Sequence, residues 1–146
     1  MIRASVCPPE IRLFSTAGTP TIVATTRRAP AAKRALFVER GIELLEVEAD
    51  PDGRVDLAAL LAVLGQREVT SLLVEGGAAL ITAFLKNGLA DRLIAIVAPK
   101  ILGEGISAVG DLGIRSLDNA LRLSSLRVSR RGGDLILDSR LSPAPG

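Results

Sequence analysis

Residues 71–105 read SLLVEGGAALITAFLKNGLADRLIAIVAPKILGEG, and this stretch decides how the rest of the chain is organised. An apolar run ends at Glu75-Gly76-Gly77 and passes at once into a segment whose apolar residues recur with helical spacing. A helix that begins directly after two glycines presents unpaired backbone N–H groups and the positive end of its dipole, an arrangement suited to an anion. A phosphate-bearing ligand is the first expectation. A tight strand-to-helix turn with no ligand is the alternative, and the glycines alone leave both open.

Working outward, residues 21–26, TIVATT, are a short β-branched run and predict a buried strand. Residues 31–40 predict a helix with Gly41 at its left-handed end. Residues 42–48, IELLEVE, alternate apolar with acidic and predict a strand nearer the sheet edge, followed by a turn at Asp50-Pro51-Asp52-Gly53. Asp56 is expected to cap a helix reaching about Leu64, with Leu57, Leu60, Leu61 and Leu64 on one stripe. Residues 70–74 predict a strand covered on both faces, 78–86 a helix and 92–98 another apolar strand. This alternation predicts an α/β sheet with parallel pairs joined by right-handed crossovers. After Gly103 comes a glycine-punctuated loop. Runs at 121–129 and 135–138, separated by Arg130-Arg131-Gly132-Gly133-Asp134, then predict an antiparallel hairpin. Residues 1–141 are expected to form one domain, and the Pro-rich residues 142–146 a disordered tail.

Composition removes several function classes. The chain has 146 residues, 48% of them hydrophobic, which suits a single domain with a stable core. A net charge of +2, three Phe and no Tyr or Trp leave little to attract or stack nucleic acid, so none is expected as a partner. Cys7 is the only cysteine, which excludes an internal disulfide and a thiolate metal cluster and suits a reducing, cytoplasmic setting. No secretion signal is visible, and no apolar run approaches the roughly 20 residues that cross a bilayer. With no histidine at all, Ser-His-Asp and Cys-His nucleophilic schemes and most transition-metal sites are absent. No metal site is expected.

The 71–105 block also resembles a known one. Its order is a buried strand, Glu75-Gly76-Gly77, a helix, Gly88-Leu89-Ala90-Asp91, a second apolar strand and Ala98-Pro99-Lys100-Ile101-Leu102-Gly103. It is similar to the reductase domain of the bacterial riboflavin-biosynthesis deaminase-reductase, a relative of dihydrofolate reductase. Weaker similarity runs from about Thr19 to Leu141. The deaminase half of such proteins needs a His/Cys and Cys-x-x-Cys zinc set, which this chain lacks, so only the reductase half is expected. The resemblance implies a dihydrofolate-reductase-like, mostly parallel sheet flanked by helices and closed by a C-terminal antiparallel hairpin. It also implies NADPH as cofactor, a phosphorylated aminopyrimidine as substrate and a homodimer. Hydride transfer suits a histidine-free chain, because the cofactor carries the reactive atom.

Site residues follow from the same resemblance. Gly77, Ala78, Ala79, Leu80, Ile81, Thr82 and Ala83 fall on the NADP-contacting stretch, Gly76 joins them as the first glycine of the turn, and the Thr82 hydroxyl is either a ligand contact or a bond back into its own helix. The matching glutamate, Glu75, lines the substrate site; read from its own position, a carboxylate ending a buried strand must face a cleft or hold a partner. Thr25 and Thr26, beside Arg27 and Arg28 at a strand's C-terminal end, are candidates for a 2′-phosphate, against the plainer reading of solvated loop charge. Lys100 is a further possible phosphate contact, while Pro99 and Gly103 are explained by a strand stop and a turn. Arg130 and Arg131 read as solvated charge at a hairpin tip, and Asp91 as a residue bending the chain into the next strand.

The family's opening strand with its lysine, its Ser-x-Asp-Gly segment and its Gly-x-x-Thr turn are not found before Thr19, so the domain is expected to be truncated at its N-terminus. No catalytic residue is assigned. Two alternatives stay open: a non-catalytic remnant that binds a nucleotide or only oligomerises, and a related reductase of another pterin or pyrimidine.

Overall fold

The computed structural model describes residues 20–142. Cys7, Thr19 and most of the Pro-rich tail lie outside them. The chain divides into two compact units, Met1–Leu73 and Val74–Gly146.

In the first unit, β1 (Ile22–Thr25) and β2 (Glu43–Glu46) pair in parallel from Ile22↔Glu43 to Thr25↔Glu46. The crossover is α1 (Ala31–Glu39), as expected of a β-branched strand followed by a helix-forming run. Phe37 of α1 is 2% exposed and packs in one cluster with Val23 and Ile42, with Leu44 against it. Burying a side chain of this kind stabilises by about 1.5–3 kcal/mol. The helix closes as its sequence predicts. Gly41 has φ 70°, its N–H donates to the Val38 carbonyl at 2.9 Å, and the Ile42 N–H donates to Phe37 at 3.0 Å.

The expected turn forms at 50–53, where Asp50 accepts the Arg54 N–H at 2.7 Å and a bridge joins Ala49 to Val55. Asp56 then caps α2 (Leu57–Gln66), accepting from the Ala58 and Ala59 N–H groups at 2.8 and 3.0 Å. Leu57 is buried, and Leu60, Leu61 and Leu64 are half-buried. The end of α2 repeats the geometry of α1 without glycine. Glu68 takes φ 62°, its N–H donating to Gly65 at 3.0 Å and the Val69 N–H to Leu64 at 3.1 Å.

The second unit contains α3 (Ala78–Lys86), β3 (Arg92–Val97), β4 (Leu123–Arg131) and β5 (Asp134–Leu141). Its sheet has the order β3-β5-β4 and is antiparallel throughout. The hairpin is tighter than its sequence implied. Arg131 pairs with Asp134, so only Gly132 and Gly133 form the turn, and Arg130 and Arg131 belong to the strand. The Asp91 carbonyl accepts the Leu141 N–H at 3.0 Å, at the entry to β3. Arg92 holds Asp138 with two nitrogens at 2.7 and 2.6 Å. The Asp138 carboxyl lies below its ordinary range, chiefly through that hydrogen bond.

The α/β class with a parallel pair and a C-terminal antiparallel hairpin agrees with the sequence expectation. Two elements differ. Residues 70–74 form no strand, and Leu72 and Leu73 are exposed. The boundary between the units falls inside this run. An apolar, β-branched composition favours a strand only where a neighbour supplies ladder partners, and among the described residues none pairs with it. The second difference follows: among the described strands β3 lies beside β5 alone, not in a continuous parallel sheet.

Candidate functional site

The sequence-predicted residues divide between the two units: Thr25 to Arg28 in the first, Glu75 to Ala83 in the second.

Helix α3 starts as the Gly-Gly reading requires. Gly77 is its N-terminal cap residue and no side chain caps it. The Leu80 and Ile81 N–H groups both donate to the Gly77 carbonyl, at 3.0 and 3.2 Å. This leaves the N–H groups of Gly77, Ala78 and Ala79 without an acceptor among the described residues. The two glycines have different reasons to be glycine. A Cβ on Gly76 would lie 2.9 Å from the Leu80 Cβ, so packing of the first turn excludes one. A Cβ on Gly77 would meet nothing within 4 Å, and its φ of −64° suits any residue. The protein's own packing accounts for Gly76, whereas the space beside Gly77 is open.

Other members of the stretch are occupied otherwise. Thr82 bonds back within the helix, donating to the Ala78 carbonyl at 2.6 Å, and also accepts the Gly110 N–H at 2.7 Å. Ala79 is exposed, while Ala78, Leu80, Ile81 and Ala83 are half-buried. Glu75 is exposed and follows a loop rather than a buried strand. The burial argument for a compulsory partner therefore does not apply to it, and its carboxylate is open to a solute. Lys100 is exposed, its N–H donating to Ala98 at 2.8 Å.

In the first unit, Thr25 and Thr26 are buried at the C-terminal end of β1, the end at which open α/β sheets bind ligands. Arg27 Nε donates to Glu46 at 2.9 Å, and Arg34 reaches the same carboxylate at 2.7 Å. Arg28 lies over the 50–53 turn, where a Cβ on Gly53 would sit 2.5 Å from its Nη1. A phosphate seeking Arg27 would compete with Glu46.

The loop after β3 was read from sequence only as glycine-punctuated. Its tie to Thr82 went unseen, because no local pattern marks a bond between residues 28 apart. Asp111 closes the next turn, accepting from the Gly113 N–H at 2.8 Å and from two Arg115 nitrogens at 2.7 Å each. The Arg115 guanidinium, then the Gly113 N–H, hold its carboxyl down at about 2.

The family model for the RibD C-terminal domain matches residues 3–137, nearly the whole chain and starting ahead of Thr19. The chain belongs to that family. Among relatives, the riboflavin biosynthesis protein RibD of Aquifex aeolicus is 36% identical over 130 residues, covering 89% of this chain and 34% of that protein. The 2,5-diamino-6-ribosylamino-4(3H)-pyrimidinone 5′-phosphate reductase of the same organism is 35% identical over 133 residues, 90% of this chain and 58% of the relative. A solved structure of Acinetobacter baumannii RibD superposes with a TM-score of 0.76 at 27% identity, over 97% of this chain and 36% of that one. The chain thus spans about a third of the RibD proteins it matches. No helix among the described residues is long and apolar enough to cross a membrane.

Proposed function

We propose that this RibD C-terminal domain, residues 1–141, is an NADPH-dependent pyrimidine reductase of riboflavin biosynthesis. It would reduce 5-amino-6-(5-phosphoribosylamino)uracil to its ribitylamino form, in the cytoplasm and as a homodimer. The observation that carries this reading is the start of α3, where three N–H groups have no acceptor among the described residues and the space beside Gly77 is open. That arrangement fits a dinucleotide pyrophosphate. The name of the Aquifex aeolicus reductase supports the substrate class.

When bound, the nicotinamide supplies the hydride. The chain's own residues bind and orient. The Gly77, Ala78 and Ala79 N–H groups would hold the pyrophosphate, and the exposed Glu75 carboxylate would accept hydrogen bonds from N–H groups of the pyrimidine. Rate acceleration comes from placing the two reactants, with no protein nucleophile involved.

The test is a titration of the purified chain with NADPH and NADH, followed by nicotinamide fluorescence and by thermal stability, since a ligand of the native state raises the melting temperature. Saturable binding that favours NADPH is expected. Gly77→Ala should weaken it about tenfold, roughly 1.4 kcal/mol, with the melting temperature of the free chain unchanged. A folded chain that binds neither nucleotide overturns the reading. Sedimentation velocity decides the dimer, and reduction of the aminouracil phosphate decides the activity.

A further inference from the structure

One oxygen atom ties the loop that follows β3 to helix α3. Thr82 Oγ1 donates to the Ala78 carbonyl and accepts from the Gly110 N–H, at 2.6 and 2.7 Å. We propose that Thr82 is a positioning residue and not a cofactor contact: its hydroxyl pins the loop at Gly110 to the flank of α3 and orients the first-turn peptide that would meet the cofactor. This rests on the dinucleotide reading of the helix start.

The Ala78 carbonyl and the Ala79 N–H are the two ends of one peptide group. A continuous chain therefore runs from Gly110 N–H through the Thr82 hydroxyl to the Ala78 carbonyl, and out through the Ala79 N–H. Hydrogen bonds aligned in series polarise one another, so the last donor gains from those behind it. That last donor is one of the three N–H groups without an acceptor.

The loop is built for the tether on its own side. A Cβ on Gly110 would come 3.2 Å from Thr82 Oγ1, so a close approach is kept open there. The next residue, Asp111, closes the turn through Gly113 and Arg115. Lys86, one turn beyond Thr82 on the same face of α3, adds an attractive charge to Asp111. The hydrogen bond at Gly110 is thus supported by a favourable charge one residue further along the loop. Its upstream limb has no comparable hold: Ile101, Leu102 and Ile106 are 100%, 91% and 98% exposed. Burial does not fix this limb, so the bond at Gly110 decides where the loop runs.

The experiment compares the full chain with Thr82→Val, Thr82→Ser, Gly110→Ala and the Thr82→Val/Gly110→Ala double variant. Two readouts are taken: hydrogen exchange of peptides spanning 106–114 in the ligand-free protein, and NADPH affinity by fluorescence. Thr82→Val, which keeps shape and removes the hydroxyl, should speed exchange at least tenfold and weaken NADPH three- to tenfold. Thr82→Ser should restore both. Gly110→Ala should move both readouts in the same direction, and the double variant should be no worse than Thr82→Val alone, the non-additivity of a shared contact.

A loss of NADPH affinity in Thr82→Val with exchange unchanged and Gly110→Ala silent would make Thr82 a direct contact, overturning the positioning role while the dinucleotide reading stands. Faster exchange with unaltered affinity would reduce the tether to a fold contact and overturn the role as well. Wild-type protein that binds no NADPH removes the dinucleotide reading and the positioning role together.

Discussion

The two units cover their sheets very differently. In the first, whose described sheet has two strands, α1 crosses over one face and Phe37 packs there with Val23 and Ile42, while Leu45 and Val47 are buried as well. In the second, β5 is hydrogen-bonded on both sides, yet all nine residues of β4 are exposed and Ile96 of β3 is 66% exposed. Its buried side chains among the described residues are Phe84, Leu85 and Ser139. A ladder needs only a neighbouring strand; a core needs a second layer. The second unit also carries polar clips, Arg92 to Asp138, Asp111 to Arg115 and Thr82 to Gly110, as the first does from Arg27 and Arg34 to Glu46. Exposed ion pairs of this kind contribute little.

The contrast is most easily broken by deleting one side chain from each sheet. Phe37→Ala should destabilise the chain by about 3–5 kcal/mol, the usual cost of an aromatic deletion in a packed core. Ile96→Ala should change stability by less than about 0.5 kcal/mol, as at other exposed positions. Urea unfolding followed by circular dichroism measures both, and similar losses would mean that the β3 face is covered in solution.

A smaller effect sharpens the picture of the better-packed unit, which carries a strained helix end. Glu68 holds a left-handed conformation where α1 and α3 use Gly41 and Gly88. Glu68→Gly should stabilise by about 1 kcal/mol, since the left-handed region costs an ordinary residue 1–2 kcal/mol. A melting temperature that falls instead would show that the glutamate side chain gives more than its backbone loses.

The smallest effect concerns the clips. Asp111 titrates at about 2 in the folded chain, below its ordinary 3.8. A depressed folded value means that the clip's contribution is complete above the ordinary value and is lost as pH falls toward 2. Carboxyl NMR should follow this titration, and Arg115→Ala should return it toward 3.8. An unshifted Asp111 in the wild-type chain would show the turn open in solution.

Much of the local structure was legible beforehand. Asp56 as a cap, Gly41 at a helix end, the 50–53 turn, the Gly-Gly start of α3 and the glycine hairpin are each written in a few adjacent residues, and each forms. The block at 71–105 was also enough to identify the family. Within the site, sequence left the Thr82 hydroxyl divided between ligand and helix, and the helix bond forms. It also treated Gly76 and Gly77 alike, although only Gly76 is required by packing.

What the sequence determined by itself is therefore what short-range chemistry controls: helix starts and stops, turns, the class of fold, and the absence of histidine chemistry. Tertiary structure alone decided which strands pair, that the apolar run at 70–74 joins no ladder among the described residues, and that Gly110 closes on Thr82. The physical reason is that a cap or a turn is satisfied by atoms a few residues away. A ladder or a tether depends instead on whether a distant partner arrives, which no stretch of neighbouring residues records.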